Sequence, residues 1–164
     1  ESHFTNTHYD FSKKLNFPSG EEVEAVDICR DVGNWIVQNE VHIQDCELRL
    51  VNKELGYAGL TDATITQDGK YGIMDFKTRK TKAFNKVSAY DNEPTQIAAY
   101  HMAKYGKIDK KSIGCNLYIS TTEIGRIEVV WYDADELAHH WEKFQLCLGL
   151  WQNIKRYYPQ KANK

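Results

Sequence analysis

Within Gly72-Ile73-Met74-Asp75-Phe76-Lys77-Thr78, apolar and charged residues alternate. That two-residue period is the period of a strand, in which successive side chains point to opposite faces. Asp75 and Lys77 then stand side by side on one face, while Met74 and Phe76 turn toward apolar packing on the other. Upstream, Gln67-Asp68-Gly69-Lys70 is a hairpin signal, and Tyr57 to Thr66 is rich in β-branched residues. Antiparallel pairing about that turn sets opposite one another residues whose numbers sum to about 137. Asp62, which follows Gly59-Leu60-Thr61, therefore comes to lie across from Asp75.

One strand further out, Cys46, Leu48 and Leu50 alternate with Asp45, Glu47 and Arg49, so three segments form an antiparallel meander. Before it, Pro18-Ser19-Gly20 makes a turn. Glu21, Glu22 and Glu24 then complement the positive end of a helix, and Val23, Val26, Ile28, Val32, Trp35 and Ile36 carry it to about Gln38. After the meander, Asp91-Asn92-Glu93-Pro94 opens a second helix that Gly106 ends. Ile113 to Ser120 and Arg126 to Tyr132 are two more strands. Leu137, Trp141, Phe144, Leu148 and Trp151 recur at intervals of 4, 3, 4 and 3 along a last helix. The order predicts an α/β domain, with a mixed central sheet of about five strands flanked by helices. With 164 residues and no repeat or low-complexity stretch, a single domain over 1–164 is expected.

Composition narrows the function classes. Hydrophobic residues are 41% and charged residues 27%, as in a globular protein rather than a disordered one. No apolar run reaches the ~18 residues of a membrane span, and the first residues lack the basic and apolar stretches of a secretory signal, so a cytoplasmic location is expected. Cys29, Cys46, Cys115 and Cys147 are widely spaced, which argues for reduced thiols and against a zinc site or an iron–sulfur cluster. A net charge of -2 provides no overall pull on a polyanion, so any nucleic-acid contact must rest on a local patch. From Phe76 to Tyr90, Lys77, Arg79, Lys80, Lys82 and Lys86 occur without an acid. Such a loop can track phosphates.

Two carboxylates set directly opposite each other repel unless positive charge lies between them. A divalent cation supplies that charge. Mg²⁺ commonly takes one or two carboxylates and leaves other positions to water and phosphate oxygens. It lowers the pKa of a bound water and offsets charge growing on a phosphoryl group. Lys77, beside the same point, is suited to orient that water or help to deprotonate it. The chemistry implied is phosphodiester hydrolysis. On the helix that follows, Gln96 and Tyr100 are four residues apart and share a face, with Ala99 and Ala103 beside them. An amide and a phenol among alanines can approach a phosphate backbone or a base closely.

Gly59-x-x-Asp62, Asp75-x-Lys77-Thr78 and Gln96-x-x-x-Tyr100, in that order and spacing, resemble the nuclease core of the PD-(D/E)xK superfamily. The Gln-x-x-x-Tyr element is similar to that of its RecB-like branch, which includes phage recombination exonucleases. The resemblance implies that Asp62 and Asp75 bind Mg²⁺ or Mn²⁺ together with the Phe76 carbonyl, that Lys77 positions the water, and that Gln96 and Tyr100 hold nucleic acid. It also implies an acidic residue near the metal on the first strand, where Glu47 stands. The branch's amino-terminal Gly-x-x-x-His is not matched: His3 and His8 lack the glycine, and Gly33 is followed four residues later by Val37.

The leading expectation is thus a metal-dependent DNA exonuclease in recombination, repair or phage DNA processing, with Asp62, Asp75 and Lys77 catalytic. Gln96, Tyr100, Arg79, Lys80 and Lys82 would lie along linear DNA. A restriction-type or structure-specific endonuclease on the same core is one alternative, and a DNA-binding module without catalysis is another. A homo-oligomer or a recombination partner protein would accompany the exonuclease reading.

Overall fold

The computed structural model describes residues 12–159. His3 and His8 lie outside the described residues. The elements run β1 (Lys14–Asn16), β2 (Glu22–Glu24), α1 (Ala25–Gln38), β3 (His42–Asn52), β4 (Tyr57–Gln67), β5 (Lys70–Arg79), α2 (Asn92–Tyr105), β6 (Ser112–Ser120), β7 (Ile127–Tyr132) and α3 (Ala134–Lys155). Strands β3 to β7 form one sheet in sequence order, antiparallel throughout except between β5 and β6, which are parallel. The described residues are therefore α/β, with a five-stranded mixed sheet flanked by three helices.

The first expected helix starts late. Glu22 to Glu24 pair with Lys14 to Asn16 instead, around a turn in which Gly20 has φ +87° and donates its N–H to the Phe17 carbonyl. Lys14 neutralises Glu22 at 3.1 Å. The acids read as a helix start thus belong to a small hairpin, and α1 begins at Ala25 and ends at Gln38 as its apolar spacing requires.

The meander forms in the expected register. Asp68 and Gly69 both have positive φ (+49° and +73°), the twist that a two-residue hairpin turn needs. From Gln67↔Lys70 to Ala63↔Met74 every pair sums to 137. The parallel step comes from α2, which carries the chain back across the sheet before β6. Gly106, at φ +70°, closes that helix by donating its N–H to the Met102 carbonyl.

Each face of the sheet has its own core. On one face Val41, Ala63, Ile65, Met74, Cys115 and Leu117 pack with Val32, Trp35, Ile36 of α1 and with Phe76. On the other, Ile73, Ile97, Ala98, Tyr132 and Leu137 join the sheet to α2 and α3. Strand β6 is covered on both sides and is buried at all positions but Ile119. The stripe of α3 is buried at Leu137, half-buried at Trp141, Phe144 and Leu148, and exposed at Trp151. Among the described residues no helix is long and apolar enough to cross a membrane.

Close approach of β5 to β6 demands a glycine: a Cβ on Gly72 would lie 1.7 Å from the Ile113 carbonyl oxygen. Replacing Gly72 by alanine should therefore cost at least about 2 kcal/mol in urea unfolding. The same change at Gly33, which meets nothing within 4 Å inside α1, should be neutral or stabilise by up to about 1 kcal/mol.

His101 on α2 is fully buried between Tyr71 and Tyr105, and among the described residues neither ring nitrogen has a hydrogen-bond partner. Burial holds the imidazole neutral, lowering its pKa from 6.5 to about 4 against a weaker pull from Asp109. Protons consequently favour the unfolded chain below pH 6.5, and stability falls as pH drops from 6.5 toward 4, by about 3 kcal/mol from this group. In His101→Phe that loss should vanish from unfolding free energies compared at pH 7 and pH 4.

Candidate active site

The ladder between β4 and β5 stops at Ala63↔Met74, one step short of Asp62 and Asp75. Two carboxylates in direct opposition would repel there. Asp62 instead turns its Oδ2 to accept the Phe76 N–H at 2.8 Å, replacing the missing ladder bond. A residue's N–H and C=O point to the same side of a strand, so the Phe76 carbonyl faces this gap too. The register that would place Asp62 across from Asp75 runs up to their neighbours Ala63 and Met74, and at the acids themselves the ladder gives way to the Asp62 side chain on the Phe76 N–H.

Asp75 is only 4% exposed, in the middle of the sheet. Burial is the largest influence on its carboxyl and raises its pKa; the Asp62 charge raises it further, while Lys77 and Asn116 oppose both. Lys77 Nζ lies 2.5 Å from Asp75 Oδ2, and Asn116 Nδ2 donates to the same oxygen at 3.2 Å. The Asn116 amide is fixed in turn by Tyr132, whose hydroxyl donates to Oδ1 at 2.8 Å. Lys77 also donates to Gln96 Oε1 at 3.1 Å, and Gln96 Nε2 donates to the Tyr100 hydroxyl at 2.9 Å. One unbroken chain of polar contacts therefore joins Tyr132, Asn116, Asp75, Lys77, Gln96 and Tyr100 across β7, β6, β5 and α2. Gly59 is the floor beneath Tyr100: a Cβ there would come 2.4 Å from the ring.

Counted as charges, Asp62, Asp75 and Lys77 sum to one net negative charge beside Phe76. The donors are hard oxygens, which fits Mg²⁺ or Mn²⁺ with most of its positions left to water and phosphate. Among the described residues no group of three or more His, Cys, Asp or Glu side chains gathers as a ligand cluster. Glu47 accordingly does not join Asp62 and Asp75 in one. Its backbone stands opposite Asp62 in the β3–β4 register, at a step the ladder skips between Cys46↔Ala63 and Leu48↔Thr61, and has φ +49°.

The basic residues divide. Arg79 is held inside the structure: it donates to Glu93 Oε1 at 2.7 Å and to the Ser88 carbonyl, with its guanidinium over the rings of Tyr90 and Tyr118. Glu93, 5% exposed, also accepts from the Tyr118 hydroxyl at 2.6 Å and the Tyr90 N–H. Lys80, Lys82 and Lys86 are exposed and rim a cavity of about 340 Å³. Their loop is tied down by Arg126, which just precedes β7 and donates to the Lys82 and Asn85 carbonyls, and by Glu128 of β7, which accepts the Val87 N–H. It displays a wholly exposed Phe84 at φ +67° between two of the lysines.

Glu93, Asn116, Tyr118 and Tyr132 are the site's supporting residues that sequence reading passed over. A polar Asn116 within the apolar run Ile113 to Ile119 was the available signal.

No family model matches the sequence, and no curated protein matches it. Among solved structures, the one titled "Crystal structure of SSO0001" is similar with a TM-score of 0.39 and 16% identity over 79% of this chain. The match spans 61% of that chain.

Removing one member of the buried Arg79–Glu93 pair strands the other charge. Arg79→Ala should lower unfolding free energy by about 3–5 kcal/mol in urea melts, a loss of stability rather than a selective loss of any binding.

Proposed function

We propose that this chain is a metal-dependent nuclease with a PD-(D/E)xK-type core, hydrolysing phosphodiesters of linear DNA as an exonuclease. The observation that carries the reading is the convergence of Asp62, Asp75, Lys77, Gln96 and Tyr100, from two strands and a helix, around the end of the β4–β5 ladder.

Asp62, Asp75 and the Phe76 carbonyl would hold Mg²⁺ or Mn²⁺, which when bound supplies an acidified water and charge to offset the phosphate. Lys77 sits where it can orient that water, since its ammonium is pinned between the Asp75 carboxylate and the Gln96 amide. Asn116 and Tyr132 hold the carboxylate in place and keep it from turning away. Gln96 and Tyr100 present an amide and a phenol to the incoming strand. Lys80 and Lys82 offer exposed charge to its phosphates, while Arg79, spent on Glu93, braces the loop that carries them.

With Mg²⁺ or Mn²⁺, linear DNA should disappear while covalently closed circles persist; EDTA should abolish the loss, and Lys77→Ala or Asp75→Asn should slow it at least ~100-fold. Cutting of closed circles would assign an endonuclease instead. Full activity in Lys77→Ala would remove this site from the reaction. Retained DNA binding with no cleavage under any metal would make the chain a binding module. Replacing Lys80 and Lys82 together by alanine should reduce the slope of log affinity against log salt by about 1.5, two phosphate contacts' worth.

A further inference from the structure

A cavity of about 570 Å³ opens beside the candidate site and shares Gln96 and Tyr100 with it. That volume is in the range of small-ligand pockets. Its two walls differ in chemistry. Tyr57, Phe144, Leu148 and Trp151 supply aromatic and apolar surface, with Tyr57 set edge-on to Phe144 at 4.8 Å between centroids. Opposite, α2 presents Asn92, Thr95 and Gln96, which at spacings of three and four share one helix face. The Gln96 amide is committed to Lys77 and Tyr100, and Thr95 to the Asp91 carbonyl and His140. The Asn92 side chain, exposed and without a hydrogen bond among the described residues, is free to meet a ligand.

An aromatic wall facing an unspent amide suits a flat group with a hydrogen-bonding edge. A nucleobase has that form, and only an unpaired one exposes both its face and its edge. The cavity's other occupant by shape, an apolar peptide side chain, would leave Asn92 unused. Continuity with Lys77 through Gln96 adds a reason for the occupant to belong to the same strand whose phosphate reaches Asp75.

We infer that this cavity holds an unpaired base of the strand engaged by the candidate site, so that the preferred nucleic acid is single-stranded or frayed at its end. The inference rests on the nuclease reading for the identity of the strand, but its test does not depend on cleavage.

Affinity is measured in EDTA for a fluorescent oligonucleotide, its counterpart with abasic sites but the same phosphates, and a blunt duplex. The intact strand should bind about 5- to 150-fold tighter than the abasic one. Trp151→Ala should erase most of that gap, Trp151→Phe should restore much of it, and Leu146→Ala, on an exposed turn of α3 outside the cavity, should leave it unchanged. Asn92→Ala, at a surface position, provides a second variant that does not disturb the core. Equal binding of intact and abasic strands, an unchanged gap in both Trp151→Ala and Asn92→Ala, or an equal loss of duplex affinity would overturn the inference. If base-dependent binding persists while no metal supports cleavage, the cavity stands and the catalytic reading falls. Metal-dependent cleavage with no base dependence gives the reverse.

Discussion

A carboxylate at the centre of a sheet is the constraint around which this molecule is arranged. Asp75 lies on β5, with apolar side chains before and after it in sequence and strand β6 at its side. An ionised group there is costly unless charge and hydrogen bonds surround it. Lys77 supplies the charge, two residues along the same face. Asn116 supplies a hydrogen bond from the neighbouring strand, at the position paired with Asp75 in the parallel register. Tyr132 fixes Asn116, and Gln96 fixes Lys77. Each of the elements β5, β6, β7 and α2 thus contributes one polar residue whose purpose is intelligible only with Asp75 in view.

The same arrangement separates the two faces of the sheet by task. Met74 is buried and Phe76 half-buried on the face that packs an apolar cluster against α1. The opposite face trades part of its apolar contact for the polar chain and for the cavity between α2 and α3. A second buried ion pair, Arg79–Glu93, anchors the beginning of α2 to the end of β5. It fixes where Gln96 and Tyr100 come down over the sheet, since Glu93 precedes Gln96 by less than one helical turn.

What could be read from sequence was whatever depends on neighbours along the chain. The turn at Asp68-Gly69 sets the register of the whole hairpin, so the juxtaposition of Asp62 and Asp75 followed from counting. Gly106 and the spacing of α1's apolar residues marked helix ends. What escaped depends on partners distant in sequence. Glu21 to Glu24 carry charges suited to a helix start, and nothing local announces that Lys14 to Asn16 will claim them as a strand. Arg79 reads as one more cation of a basic run until Glu93, Tyr90 and Tyr118 are brought around it by folding. The end of the ladder at Asp62, where a side chain takes the Phe76 N–H, likewise shows only once the strands have met.

The parallel pairing of β5 with β6 has a consequence for the order in which the molecule assembles. The hairpin β4–β5 closes a two-residue turn and brings Asp62 to Asp75 early, at small cost in chain entropy. Joining β6 to β5 instead requires residues 80–111 to be looped out and α2 to be laid across the sheet. Until then Asp75 lacks Asn116 and Lys77 lacks Gln96. Asp75 is thus left exposed to water in the nascent meander, where hydration screens its repulsion with Asp62, and the same step that withdraws it from solvent delivers Asn116 to it and Gln96 to Lys77. Completion of the site and completion of the fold are one event.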